Sequence, residues 1–444
     1  MLFWMKRITS SFILARHLYL KFSVSADSKS FYFGIYGRDR RDEVFDVSIN
    51  NFSPKFNVKP QITGWGHTQF GKFVNLEPED MIREAALAAL TKAGLEPQDI
   101  EGIFMGHFNG GFLKQDFSAS LAALAAPEFR HVPAVRLENA CATVSAAVWA
   151  ALDAIESGRV NRFLVLGFEK MNTLPSVEIG ETLLRCSYVR EEGDTVGGFA
   201  GVFGTITSEY FERFGDQSDA LAMIAAKNHN NGIENPFAHL RKDFSFEFCR
   251  HASEKNPIVA PPLKRSDCSM VSDGAAALVI ENLSSRRLKG PFIGWKSRAQ
   301  VNDFLPLSRR DRTRFTGAAK AWKKALSQVE MKIEDLDFVE THDCFTIAEL
   351  LEYEAMGLAE QGKGAQVIEE GVTTKDGSLP VNPSGGLKSK GHPIGATGVS
   401  MHVMAAMQLS DEAEGMQIEN AMRGGVFNMG GAAVANYVSI LETR

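Results

Sequence analysis

Two stretches far apart in this 444-residue chain run through the same patterns in the same order, so any fold that fits one must be built twice. The first, MIREAALAALTKAGLEPQDIEGIFMGHF (81–108), reads as an Ala/Leu-rich helix, then Gln98-Asp99-Ile100, then a strand-like run. The second, TGAAKAWKKALSQVEMKIEDLDFVETHDCF (316–345), gives a helix, then Glu334-Asp335-Leu336, then a strand-like run. Each is followed by a Gly/Ala/Ser-rich helix pattern, at 142–156 and 395–409, and each half closes on a strand pattern, DGAAALVIENL (273–283) and GGAAVANYVSIL (430–441). Alternating strands and helices in duplicate predict a duplicated α/β architecture. The small residues of the two later helices predict that they lie between two sheets, where close packing excludes bulk.

Between the halves, residues 170–268 break the pattern with GDTVGGFAGVFG, KNHNNGIENPFA and a charged stretch running to Pro261-Pro262. This reads as a long insertion with helical pieces, placed to cover a site; Gly- and Asn-rich surface loops are the alternative. At the other end of the chain, residues 1–26 carry Lys6, Arg7, Arg16 and Lys21 with no acid before Asp27, as a mitochondrial presequence does. They read equally as a leader upstream of the true start, since 27–57 is irregular and the recognisable folded chain begins near Val58. The predicted division is therefore an extension without fixed structure at 1–57, an N-terminal domain at 58–285 that includes the insertion, and a C-terminal domain at 286–444.

Composition narrows the class. A net charge of −6 with mixed signs leaves no basic footprint for nucleic acid. The five cysteines are scattered, odd in number and without a CxxC pair, which argues against a disulfide framework or structural zinc and fits a reducing, cytoplasmic setting. No apolar run is long enough to span a bilayer.

Three motifs carry chemistry. Asn382–Gly398, NPSGGLKSKGHPIGATG, is too rich in glycine for a packed element; it predicts a tight loop presenting His392, with Pro393 holding that residue away from helical geometry. Cys141, in RLENACATVSAAVWAALDAIESGRV, follows a polar turn and precedes a helix of small residues. A helix N-terminus favours thiolate, and small neighbours admit an acyl chain, although a buried inert thiol fits the same pattern. The third is ETHDCF, where His342 and Cys344 leave the end of a strand, the edge at which α/β sites form. A structural histidine and a filler cysteine remain open there, while metal binding by this cluster lacks conventional zinc spacing.

Taken in order, ENACATVSAA, KNHNNGIENPFA, VSDGAAALVI, THDCFTIAELL, the GHP loop and FNMGG make the chain from about Val58 onward resemble a thiolase, specifically the sterol-carrier-protein-2 type with an HDCF motif. The resemblance implies the thiolase fold, with two α/β halves in five layers (αβαβα) and an inserted loop domain. It implies an acyl-CoA C-acyltransferase that makes or breaks the carbon–carbon bond of 3-ketoacyl-CoA. In that reading Cys141 is the nucleophile, His392 its activating base, Cys344 the acid/base at the α-carbon, and His342 an oxyanion donor beside His392. The N–H groups of Cys141 and Gly430 form the other oxyanion hole, and Ser269 touches the pantetheine arm. No metal or cofactor is implied beyond coenzyme A thioesters as substrates, and a homodimer or homotetramer is.

One departure stands out: where most thiolases carry a second cysteine in a CxG motif, this chain reads Asn428-Met429-Gly430. The resemblance to HDCF-type members implies that the thiol of Cys344, on another loop, takes its place. Cys141, His342 and His392 also match the triad of ketoacyl synthases, so a condensing enzyme of that kind is the alternative, and a non-catalytic acyl-CoA-binding subunit is a third. For the coenzyme A phosphates, LKRSD (263–267) and the arginines at 309–314 are candidates, with ordinary solvated surface as the other reading.

Overall fold

The computed structural model describes the backbone of residues 19–24, 30–36 and 43–48 and the chain from 59 to 283 and 292 to 443. Two units result, divided at Asn57/Val58. In the first, β1 (Tyr19–Val24), β2 (Ser30–Tyr36) and β3 (Glu43–Ser48) form an antiparallel meander. Over these residues alone the expected absence of fixed structure is corrected: YLKFSV and SFYFGIY are dense in aromatic and β-branched residues, which favour strands. Most of the candidate presequence, the start near Val58 and the domain boundary at 285/286 lie outside the described residues.

The second unit shows the duplication in its strand order. Its N-terminal half contributes β4 (Pro60–His67), β5 (Gly102–Gly106), β6 (Ala134–Leu137) and β7 (Arg162–Glu169). The short ribbon of β8 (Ile258–Ala260) and β9 (Leu263–Lys264) belongs to the insertion, and β10 (Gly274–Asn282) returns to the half. Its strands run in the order β6-β5-β7-β10-β4, parallel from β6 to β7 and antiparallel from there on.

The C-terminal half contributes β11 (Ile293–Asn302), β12 (Phe338–Glu340), β13 (Arg423–Gly430) and β14 (Ala435–Thr443). They run β12-β13-β14-β11 with the same sequence of parallel and antiparallel pairs. The counterpart of β6 is reduced to one parallel bridge, Val339 to Val381. Two residue pairs, Ile293 with Ile62 and Gly294 with Gln61, join the halves into a single nine-stranded sheet.

Helices complete five layers. Helix Pro78–Ala93 covers the outer face of β4, β7 and β10, burying Met81, Ile82, Ala85, Ala86 and Ala89 at helical spacing. Helix Thr316–Ser327 covers β11 and β14 in the same way. Helices Thr143–Glu156 and Thr397–Leu409 pack against each other in the middle layer, and every residue of the second is buried. The turns after the two outer helices match in detail: Asp99 Oδ2 accepts the Glu96 amide at 2.9 Å, and Asp335 Oδ2 accepts the Lys332 amide at 2.7 Å.

The strand expected over 430–441 divides differently. Gly430 ends β13, the chain turns through Gly431 (φ 61°) and Ala433 (φ 55°), and β14 starts at Ala435. These left-handed residues reverse the chain within a run whose composition reads as continuous strand.

The two central helices meet at Gly398. A β-carbon there would lie 2.2 Å from Ser145 Oγ and 2.6 Å from Asn428 Oδ1. Gly398→Ala is therefore expected to lower stability by about 1–3 kcal/mol through overpacking. An unchanged urea midpoint would show that the crossing has room to spare.

Candidate active site

The turn that presents Cys141 is sharp. Ala140 takes φ 50°, a left-handed conformation that costs an ordinary residue about 1–2 kcal/mol. Glu138 Oε1 accepts the Ala140 amide at 2.6 Å. Thr143 closes the turn, its hydroxyl accepting the Asn139 N–H at 2.8 Å and donating to the Ala140 carbonyl at 2.5 Å. The chain then enters helix Thr143–Glu156, so the thiol stands just before a helix N-terminus.

His392 arrives from the other half on a loop pinned by two buried carboxylates. Asp343 accepts the amides of Leu387 at 2.6 Å and Lys388 at 3.1 Å. Glu169 accepts the amides of Gly395, Phe108 and Asn109, each at 3.0 Å. Glycine is required where these acids approach. A β-carbon on Gly386 (φ 58°) would lie 2.4 Å from Asp343 Oδ2, and one on Gly395 would lie 2.2 Å from the Phe168 carbonyl oxygen.

The loop also sets the proton on the imidazole. His392 Nδ1 is 2.7 Å from Thr397 Oγ1, and that hydroxyl is committed to the Pro393 carbonyl at 2.9 Å. Nδ1 must therefore carry the hydrogen, which leaves Nε2 with the lone pair of a base.

His342 packs edge-on against His392, ring centroids 5.0 Å apart at 81°. The ligand-type atoms of Cys141, His342 and His392 all lie within 4.8 Å of one another. Burial pulls the His342 pKa down to about 4, so the ring is neutral near pH 7. Cys344 is buried two residues further on, with its carbonyl accepting the Ser269 amide at 2.9 Å.

Cys141, Cys344, His392 and Ser269 line one cavity of about 220 Å³. The insertion closes its other side, with Ile179, Leu183 and Phe199 as apolar wall. Gly430 stands behind the Cys141 turn instead of on this wall: a β-carbon there would meet the Asn139 carbonyl oxygen at 2.4 Å. Of the candidate phosphate-binding cations, Arg265 is exposed, whereas Arg309 stacks on Phe304, Arg310 donates to the Ala432 carbonyl at 2.7 Å and Arg312 pairs with Glu209.

Four cysteines line the cavity, and of these Cys141 alone is driven toward thiolate, Cys186, Cys268 and Cys344 all being raised. Cys141 is held well below the ordinary thiol range by a hydrogen bond from the Cys186 thiol, which with His342 and His392 outweighs the opposing effect of burial. Cys344 is pushed well above that range, first by burial and then by the charge of Cys141. Between Cys141 and Cys186, the thiolate belongs on Cys141. Cys186, bonded to Cys141 and buried, also faces the negative charges of Glu138 and Glu169, whereas Cys141 has two imidazoles beside it. Sequence reasoning missed Cys186, because a lone cysteine after helix Ser176–Leu184 carries no spacing signal. It also missed the role of Asn428, whose amide contacts both Cys141 and His342.

A depressed pKa keeps Cys141 ionised as pH falls below the free-thiol value of about 8.5. Iodoacetamide is expected to alkylate it at pH 6.5–7 at nearly its pH 9 rate. Cys268, pushed by burial to about 12, should stay unreactive over that range. A shared pH dependence for the two thiols, read by peptide mass spectrometry, would contradict this electrostatic picture. Cys186→Ala should move the Cys141 profile upward.

Comparison with known proteins shows the family of the chain. The family description "Thiolase, N-terminal domain" matches residues 61–247, and "Thiolase C-terminal domain-like" matches 299–443. An acetyl-CoA acetyltransferase of Methanothermobacter thermautotrophicus is 34% identical over 86% of this chain and 98% of its own length. Sterol carrier protein 2 of Bos taurus is 29% identical over 81% of this chain and 68% of its own length. Among solved structures, an Ltp2–ChsH2(DUF35) aldolase superposes with a TM-score of 0.71 at 20% identity, covering 86% of this chain and 97% of that one. An acetyl-CoA acetyltransferase from Syntrophomonas wolfei gives 0.63 at 19% identity, covering 87% and 99%. With both domain descriptions matched over most of its length, the chain belongs to the thiolase family.

Proposed function

We propose that this protein is an acetyl-CoA C-acyltransferase, working as a 3-ketoacyl-CoA thiolase or acetoacetyl-CoA synthase through an acyl-Cys141 intermediate. One observation carries the reading: of the four cysteines that line the cavity, Cys141 alone is kept as thiolate, while Cys344, raised in part by the Cys141 charge, is kept protonated. Environments that push two like groups apart assign a nucleophile and an acid.

In the cleavage direction the Cys141 thiolate attacks the ketone carbon of a 3-ketoacyl-CoA. The carbon–carbon bond breaks, its electron pair becomes the enolate of acetyl-CoA, and Cys344 delivers the proton to the α-carbon. Coenzyme A then attacks the acyl-Cys141 thioester, with the bare Nε2 of His392 taking the thiol proton. Synthesis runs the same steps backward. The oxyanions would be met on one side by His342, joined by His392 while its Nε2 holds a proton, and on the other by the amides of Cys141 and, from behind its turn, Gly430.

The nucleotide end of coenzyme A would lie beside the reacting cavity. Lys242, Lys255 and Arg265 surround the stacked rings of Phe244 and Phe248 (centroids 4.5 Å apart) around a second cavity of about 340 Å³. Met270 lines both cavities, next to Ser269. Phosphates would meet the cations and the base would stack on the rings. The proposal includes a homo-oligomer, since none of the four residues of edge strand β6 is buried and Val135 is 52% exposed, as a strand awaiting a partner would be. Among the described residues no helix is long and apolar enough to cross a membrane.

Acetoacetyl-CoA with free coenzyme A should yield acetyl-CoA and leave an acetyl group on Cys141, detectable by mass spectrometry. Cys344→Ala should still be acetylated on Cys141 by acetyl-CoA, a transfer that breaks no carbon–carbon bond, while carbon–carbon turnover falls about 10²- to 10⁴-fold, the range for losing a general acid. Tight coenzyme A binding without turnover would favour an acyl-CoA-binding subunit, and turnover only with a carrier-protein malonyl thioester would favour a ketoacyl synthase. Arg265→Ala is expected to raise KM for coenzyme A thioesters about tenfold, roughly the 1.4 kcal/mol of one charge-assisted contact. It should leave a truncated N-acetylcysteamine thioester unaffected; equal losses on both substrates would remove Arg265 from the phosphate site.

A further inference from the structure

The place of the missing CxG cysteine is taken by a side chain whose orientation can be read from its neighbours. Asn428 Oδ1 lies 2.7 Å from Ser145 Oγ, and Asn428 Nδ2 lies 3.2 Å from the Cys141 carbonyl oxygen. A carbonyl oxygen only accepts, so the group facing Cys141 is the NH₂ and the group facing the Ser145 hydroxyl is the oxygen. The same NH₂ lies 2.8 Å from His342 Nδ1. A ring nitrogen that accepts a hydrogen bond has no hydrogen of its own, so in neutral His342 the proton is on Nε2. That nitrogen is buried and has no other hydrogen-bond partner.

We infer that Asn428 is a positioning residue that locks His342 as its Nε2–H tautomer, so that the ring offers a hydrogen-bond donor beside Cys141 and withholds a lone pair from metal ions. The first half rests on the thiolase reading, in which a donor is needed where negative charge develops. The second does not. Cys141, His342 and His392 have the composition of a three-ligand zinc site, with their ligand-type atoms within 4.8 Å. Zinc takes imidazole through a lone pair. To bind through Nε2, His342 would have to move its proton to Nδ1, against an NH₂ that already points a hydrogen there. One amide thus builds the donor and keeps soft cations off the nucleophile. His392, with Nδ1–H on Thr397, is set the opposite way, so neighbouring rings hold complementary roles.

Asn428→Asp in the full chain tests this. A carboxylate accepts where the amide donated, drawing the ring proton to Nδ1 and freeing Nε2, the arrangement by which carboxylates orient metal-binding histidines. With Co²⁺ alone as the probe, the variant should bind one equivalent and show the visible absorption of tetrahedral cobalt with a thiolate ligand. The signal should vanish in Asn428→Asp with Cys141→Ala, and wild type should show none at the same concentration. In acetoacetyl-CoA thiolysis its kcat should fall about 10²- to 10³-fold, as when an oxyanion donor is lost. Asn428→Ala, which removes the donor without supplying an acceptor, should lose kcat similarly and gain weaker cobalt binding; it decides the matter if the aspartate variant does not fold. Tetrahedral cobalt binding by wild type as tight as by the variants, or unchanged kcat in both, would overturn the inference. Cobalt results as expected in a wild type that never turns over acetoacetyl-CoA would instead sink the reaction and leave the tautomer assignment standing.

Discussion

Everything at the reacting centre depends on how closely the two central helices cross. Gly398 meets Ser145 where no β-carbon fits, and Asn428 from β13 wedges into the same crossing. Ser145 and Asn428 are 283 positions apart in the chain. Because Cys141 precedes one helix and His392 precedes the other, the helix contact fixes the distance between nucleophile and base. The layered sheet serves to hold that contact rigid, since packed interiors do not deform smoothly.

Around it, buried acids do the positioning. Asp343 accepts two backbone amides of the histidine loop, Glu169 ties the Gly395 amide of that loop to the amides of Phe108 and Asn109, and the glycines at 386 and 395 let those oxygens and a neighbouring carbonyl in. Burial lifts the Asp343 pKa to about 7, with the nearby Glu349 charge adding to it. Its ionised form is therefore costly in the fold, and it pulls on the loop amides only because Asn228 and two N–H groups share the charge.

Much of this was legible in the sequence, for physical reasons. Duplication showed because helix and strand periodicities survive divergence, and the observed strand order repeats between halves. Cys141, His392 and Cys344 could be marked because small residues before a helix, glycines around one histidine and a thiol after a strand each imply a local backbone shape. Cys186 could not, and Asn428 showed only as the residue in place of a cysteine, without a role. Their roles arise from partners remote in the chain, and neither residue type at its position implies one. The turn inside 430–441 was hidden for the opposite reason: Ala433 sits in a left-handed conformation its identity does not advertise.

The interleaving of the halves also orders events in time. Cys141 is synthesised well before the ribosome reaches His392 or Asn428, the latter lying 287 positions downstream. Until then the thiol lacks the His392 imidazole and the carbonyl clamp from β13. A nascent chain therefore carries a thiol without its activating base, and the full electrostatic setting is switched on only when the last strands dock. Contacts of such long sequence separation form late in folding. The architecture thus delays its most reactive atom until the pocket that restrains it is complete.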